Sequence, residues 1–177
     1  RVTTFSVGQV RVGGRLASYY GTQRLTRDNA GNEVYGGSDL VVVDGDFEAL
    51  LALDLPETTR LAVSQAQVYD EAASSCYRHF FASRRNYDIA QGIDGRGQPR
   101  SGVLEQSWRI GGASSAEIAA LEAFRRGSAV RAVKASSIEL YGEQQQVPAG
   151  AQVLYRDEDA EVGFITKCVM VEDYGDA

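Results

Sequence analysis

At 177 residues, with 44% hydrophobic and 24% charged content and no low-complexity tract, the sequence has the composition of a folded chain of one domain's size. A formal net charge of -6 argues against a nucleic-acid backbone as the main partner, because phosphate binding needs a basic face that releases counterions. The longest apolar runs, such as those at 40–43 and 49–53, fall far short of the roughly 20 residues that a membrane-spanning helix requires.

From the N-terminus, "VTTFSVGQVRV" at 2–12 mixes β-branched residues with rough apolar and polar alternation. Gly13-Gly14 breaks the run before a second extended stretch. Asp28-Asn29-Ala30-Gly31-Asn32 sits between two β-like segments and predicts a hairpin, since Asn and Gly tolerate positive φ. "SDLVVVDGDFEALLALDLP" adds a buried strand, an Asp44-Gly45 turn and a further apolar run ending at Pro56. Most of residues 1–55 is therefore expected as antiparallel sheet.

After Pro56 the period changes. Ala62, Ala66, Tyr69, Ala73, Cys76 and Phe80 recur at steps of three and four, which predicts one long helix over about 57–84. Residues 86–112 carry six glycines and Pro99 and read as a long irregular connection, holding one strand near Trp108, that is either functional or an interface arm. A short helix over about 115–126 follows. There Ser114 and Glu117 form a capping-box pattern, Arg125 and Arg126 suit the negative end of the helix dipole, and Gly127 ends the turn.

The C-terminal third reads as three strands, "AVRAVKASSIELY", "QVPAGAQVLYR" and "EVGFITKCVMVE", arranged as a meander. Pro148 shortens the middle strand or places it at an edge, since proline cannot donate to a ladder. The expected fold class is α+β: a mainly antiparallel β-sheet or small β-sandwich with one long and one short helix, forming a single domain over 1–177.

The catalytic inventory is thin. His79, the one histidine, lies three residues after Cys76, so the two could form a dyad on a helix. Cys76, however, falls on the alanine and aromatic stripe where a small packed residue is expected, and no third group to orient the imidazole is evident. Cys76 and Cys168 allow a single disulfide in an oxidising compartment, and two free buried thiols in a reducing one. Alternating carboxylates at Asp44, Asp46 and Glu48, and at Asp157, Asp159 and Glu161, resemble calcium loops in composition. Counting from Asp157 places Val162 and Cys168 where an EF-hand needs glycine and a carboxylate, so solvated turns are the simpler reading. "GIDGRGQPRSG" has no phosphate-loop spacing. No catalytic residue, metal ligand or cofactor is assigned.

Of the basic residues, only Lys134 and Lys167 are lysines. Arginine is enriched at protein interfaces and lysine depleted, and Arg84, Arg85, Arg125 and Arg126 are the candidates for a local basic patch. Arg1 is an unusual start for a natural chain, which implies removal of an upstream segment and leaves an extracellular, periplasmic or virion location open.

These features point to a noncatalytic structural or assembly subunit of a larger homo- or hetero-oligomeric particle, such as a virion, a tail-like tube or a cell-surface or secretion apparatus. Its partners would be copies of itself or other protein subunits, with the extended N-terminal segment adding a strand to a neighbour. Two other classes stay open. One is a secreted or periplasmic small-ligand-binding module with a pocket near Tyr69, Phe80 and Trp108, where other aromatics such as Tyr19, Tyr20, Tyr35, Tyr141 and Tyr155 could also floor a site. The other is a hydrolase using Cys76 and His79.

Overall fold

The structure, a computed structural model, describes residues 2–127 and 129–175. Strand β1 (Val2–Val12) turns at Gly13-Gly14 into β2 (Arg15–Arg27), and the Asp28–Asn32 turn leads to β3 (Glu33–Asp44). Both glycines of the first turn have positive φ, 58° and 82°, which explains why glycine stands there. In the second turn the Asp28 carboxylate accepts from the backbone N–H groups of Ala30 and Asn32, an Asx turn closed by Gly31.

Helix α1 (Phe47–Leu51) replaces the apolar strand expected before Pro56. Asp46 caps it by accepting from Ala49 N, and Phe47 and Leu50 are buried. Helix α2 (Glu57–Cys76) starts after Pro56 as expected but stops eight residues short of position 84. The buried positions are Thr59, Ala62, Val63, Ala66, Asp70 and Ala73, so the buried stripe passes beside Tyr69 and Cys76 instead of through them. The chain leaves the helix because Arg84 to Ile89 are claimed by the sheet, where alternate residues reach opposite faces.

Residues 86–112 are correspondingly not an irregular arm. They contain most of β4 (Arg84–Ile93) and all of β5 (Pro99–Ser107), an ordered hairpin turned at Asp94–Gln98, and only the short stretch up to Ala113 is irregular. Helix α3 (Ser114–Arg126) lies where the short helix was expected, and β6 (Ala132–Tyr141), β7 (Gln152–Asp159) and β8 (Gly163–Asp173) complete the fold.

Among the described residues all eight strands form one sheet, ordered β5-β4-β1-β2-β3-β6-β8-β7, with every pairing antiparallel. The α+β class holds, and a single sheet with helices on both faces takes the place of a sandwich. On one face Val7, Val43, Tyr87 and Ile89 pack with Phe47, Leu50, Ala62, Val63 and Ala66 from α1 and α2. On the other face Tyr19, Leu40, Val42 and Val133 pack with Ala116, Ala120, Leu121 and Phe124 of α3. Covering both faces explains the unbroken buried run from Ser6 to Val10 in β1, where a one-faced strand would alternate.

Two expected placements are corrected by this order. The N-terminal strand β1 is flanked by β4 and β2, so it offers no edge to a neighbour. The C-terminal strands are not a meander, since β8 lies between β6 and β7. The physical reason is burial: β8 carries Ile165, Thr166, Cys168 and Val169 inside, whereas β7 is exposed along nearly its whole length and takes the edge that Pro148 suggested.

Candidate binding groove

The expected capping box at the start of α3 does not form. Ser114 Oγ accepts from Gly111 N, and Glu117 turns away from the helix terminus into the sheet. There Arg84 Nε donates to both Glu117 carboxylate oxygens at 2.9 and 3.0 Å, with both side chains buried. A guanidinium taken out of water must satisfy its remaining N–H groups, and Arg84 does so on the Arg109 carbonyl oxygen at 2.8 Å and, more weakly, the Tyr19 hydroxyl at 3.4 Å. Burial works against the Arg84 charge, but the neighbouring Tyr19 and Glu117 outweigh it and the pKa is raised.

Tyr19 in turn donates to Asn86 Oδ1 at 2.9 Å, and Asn86 Nδ2 donates to Asp88 Oδ1 at 3.1 Å. Burial first, then the charge of Glu117, raises the Tyr19 hydroxyl well above its ordinary pKa, so it stays a neutral donor. This network joins β2, β4 and α3 beneath a groove of about 830 Å³. Val10 and Val169 line its interior, and Ser114, Ser115 and Gln152 supply polar groups. Its rim is apolar and open: Ile110 is 81% exposed, Leu154 51%, Val12 50% and Ile118 45%. The other charged pair lining it is Arg126 and Glu122, joined at 2.6 Å.

The opposite face of β4 holds a second network. Tyr87 OH donates to Asp70 Oδ1 at 2.6 Å and accepts from Trp108 Nε1 at 3.2 Å, while Arg85 pairs with Asp70 at 3.1 Å and donates to Gln9 at 2.9 Å. The four arginines offered as a basic patch are thus all paired: Arg84 with Glu117, Arg85 with Asp70, and Arg125 and Arg126 with Glu122.

Of the residues expected to form a ligand pocket, Phe80 and Trp108 do line an open hollow, whereas Tyr69 packs against Tyr87 outside it. Phe80 and Trp108 meet at a tilt of 54° with ring centroids 4.4 Å apart, and Tyr69 and Tyr87 at 55° and 5.4 Å. Cys76 and His79 line the same hollow, of about 480 Å³. Cys76 is exposed at the end of α2, not packed on its stripe, and Cys168 is buried in β8; both are free thiols. The carboxylates resembling calcium loops serve as local caps and pairs. Asp46 caps α1, Asp44 pairs with Arg15, and Asp159 accepts from the backbone of Glu161 and Val162, which lowers its pKa. Among the described residues no group of three or more His, Cys, Asp or Glu is placed to hold a metal ion, and no helix is long and apolar enough to cross a membrane.

The groove and its floor belong to an α+β protein built on one antiparallel sheet with helices on both faces. Residues 1–169 match a family described as a protein of unknown function, DUF3182, and the chain belongs to that family. No curated protein and no solved structure matches it.

Proposed function

We propose that this chain is a noncatalytic binding module that works as a subunit of a larger protein assembly, with the α3 groove and the apolar start of β7 as its contact surface. The observation that carries this reading is the apolar rim. Ile110, Ile118, Leu154 and Val12 are exposed together around one concavity, and contiguous apolar surface of that kind marks an interaction site. Leu154 brings β7 into the rim, and β7 is the last strand of the sheet, with its outer backbone edge unpaired among the described residues. The charged groups in the groove are already paired with each other, which suits cover by a partner better than attack on a substrate.

Three sequence arguments for assembly drop away: β1 is interior, residues 86–112 are an ordered hairpin, and many arginines are spent on internal pairs. The surface now stands in their place. Light-scattering mass measured against concentration tests it. The expected result is a mass that rises above that of one chain and is returned to one chain by Ile118→Glu with Leu154→Glu, at unchanged melting temperature. A mass of one chain at the highest soluble concentration, the same with and without the two substitutions, overturns self-assembly through this surface.

The volume of the groove supports a second reading, a small-ligand-binding module, because ligand sites run from about 300 to 1,000 Å³. A monomer that binds one equivalent of an amphiphilic dye, and loses it on Ile118→Glu, would favour that reading. The hydrolase reading has least support, since the hollow beside Cys76 and His79 is shallow and open.

A further inference from the structure

Helices α1 and α2 cover only part of their face of the sheet, and on the uncovered part the strand register builds a ladder of unlike side chains. Tyr20 on β2 pairs with Val41 on β3, Val41 with Lys134 on β6, and Lys134 with Glu172 on β8. An aromatic, an aliphatic, a cation and an anion therefore stand side by side on one face. Two residues along each strand, Asp39, Ser136 and Met170 form the next row. Together they line a hollow of about 290 Å³.

The charges in the two rows are in different states. Asp39 is fully engaged, accepting two hydrogen bonds from Arg24 at 2.5 Å each and one from Ser136 at 2.6 Å. Burial works against its charge, but those bonds outweigh it and hold the carboxyl below the ordinary range. Lys134 and Glu172 are register partners, and among the described residues neither is in an ion pair. The other lysine, Lys167, does have its partner, Glu139, at 3.1 Å. An ammonium and a carboxylate with no ion-pair partner among the described residues thus flank a hollow walled by Tyr20, Val41 and Met170.

A simple anion placed there meets Glu172, and a simple cation meets Lys134, so each is repelled by one half of the pair. A ligand with both charges a few bonds apart satisfies both. We propose that this hollow binds a free α-amino acid with an apolar side chain, its carboxylate on Lys134, its ammonium on Glu172, and its side chain against Tyr20, Val41 and Met170. The hollow lies at the small end of ligand sites, which suits a single amino acid. Because both charges are solvent-exposed, the affinity is expected in the high-micromolar to millimolar range.

An NMR titration of the intact protein with L-leucine at low salt is the test. The expected result is saturable shifts confined to β2, β3, β6 and β8, weakened about tenfold or more by either Lys134→Met or Glu172→Gln. Leucinamide and 4-methylpentanoate, each lacking one of the charges, should fail to reproduce them. Both substituted residues are exposed, so the variants are expected to fold, and unchanged melting temperatures would verify it. Ile118→Glu in the α3 groove should leave leucine binding intact, which separates this site from the assembly surface. No saturable shift up to about 10 mM, equal binding by both variants, or binding of 4-methylpentanoate as tight as that of leucine would each overturn the proposal.

Discussion

Arg84 Nε lies 2.9 and 3.0 Å from the two carboxylate oxygens of Glu117, and this pair fastens β4 to α3 across the buried face of the sheet. A buried ion pair adds little net stability over a well-packed apolar pair, because both charges give up their hydration. Removing one member is a different matter, since the survivor is left charged in a dry site. Glu117→Ala is therefore expected to cost about 3–5 kcal/mol in urea unfolding. Glu117→Ala combined with Arg84→Met should recover a substantial part of that loss. A loss in the double variant equal to the sum of the losses in Glu117→Ala and Arg84→Met alone would show that the pair is not coupled.

Tyr87 sits at the centre of the second network, donating to Asp70 at 2.6 Å and accepting from Trp108 at 3.2 Å. Tyr87→Phe keeps the ring packed but strands the indole N–H of Trp108 and removes one donor from Asp70. A cost of about 1–3 kcal/mol is expected. The emission of Trp108, the one tryptophan in the chain, should shift as its N–H partner is lost, and an unchanged spectrum would place the indole elsewhere.

Gly8 in β1 has no room for a side chain. A Cβ there would collide with the Arg85 carbonyl oxygen and the Tyr19 hydroxyl. Backbone cannot retreat without breaking the β1 to β4 ladder, so Gly8→Ala is expected to destabilise by about 1–3 kcal/mol, as overpacking generally does. Gly102→Ala, with open space around it, serves as the control and should fall within about 0.5 kcal/mol of the parent.

The turns were readable from the sequence because they rest on local chemistry: Gly13-Gly14, Asp28 to Asn32 and Pro148 each fix the backbone within a few residues. Helix α3 was readable for the same reason. Where α2 ends was not, because Ala73, Cys76 and Phe80 keep a helical spacing and only long-range pairing of Arg84 to Ile89 with β1 stops the helix. Strand order was equally hidden, since nothing local in β1 shows that it will be covered on both faces and flanked on both sides. Glu117 carried a misleading signal. Its position fits a capping box, and only Arg84, 33 residues away, reveals its use. The groove rim draws on β1, α3, β7 and the loop after β5, so no sequence window contains it.

The tyrosines set an alkaline limit. Burial, followed by the nearby Tyr174 hydroxyl, raises Tyr20 from an ordinary 10.0 to about 12, and burial, followed by hydrogen bonding to Asp70, raises Tyr87 as well. The folded protein then holds protons that the unfolded chain releases at lower pH, so this contribution is complete below about pH 10 and is lost as pH rises through about 12. Asp39 gives the opposite slope in acid: its folded pKa lies below 3.8, so its contribution is present above that value and fades as pH falls through the folded one. The urea midpoint is expected to fall between pH 10 and 12, and Tyr20→Phe should lessen the fall. A midpoint flat to pH 12 would contradict the burial of these hydroxyls.

Cys76 and Cys168 differ in the one property that governs alkylation. Cys76 is exposed at the end of α2, while Cys168 is buried in β8, where desolvation pushes its thiol pKa up and keeps it protonated. Iodoacetamide at pH 8 should therefore add one adduct to the native protein, at Cys76, and a second at Cys168 only in urea. A Cys76 to Cys168 disulfide predicts no adduct in either condition and a mass lower by two hydrogens before reduction. Two adducts in native buffer would mean that β8 opens to reagent, and the burial of Cys168 beside Ile138 would then be wrong. Because Cys168 reacts only when β8 opens, while Cys76 reacts in the native protein, the second adduct followed across a urea series also reports whether β8 is lost together with the tryptophan signal or separately from it.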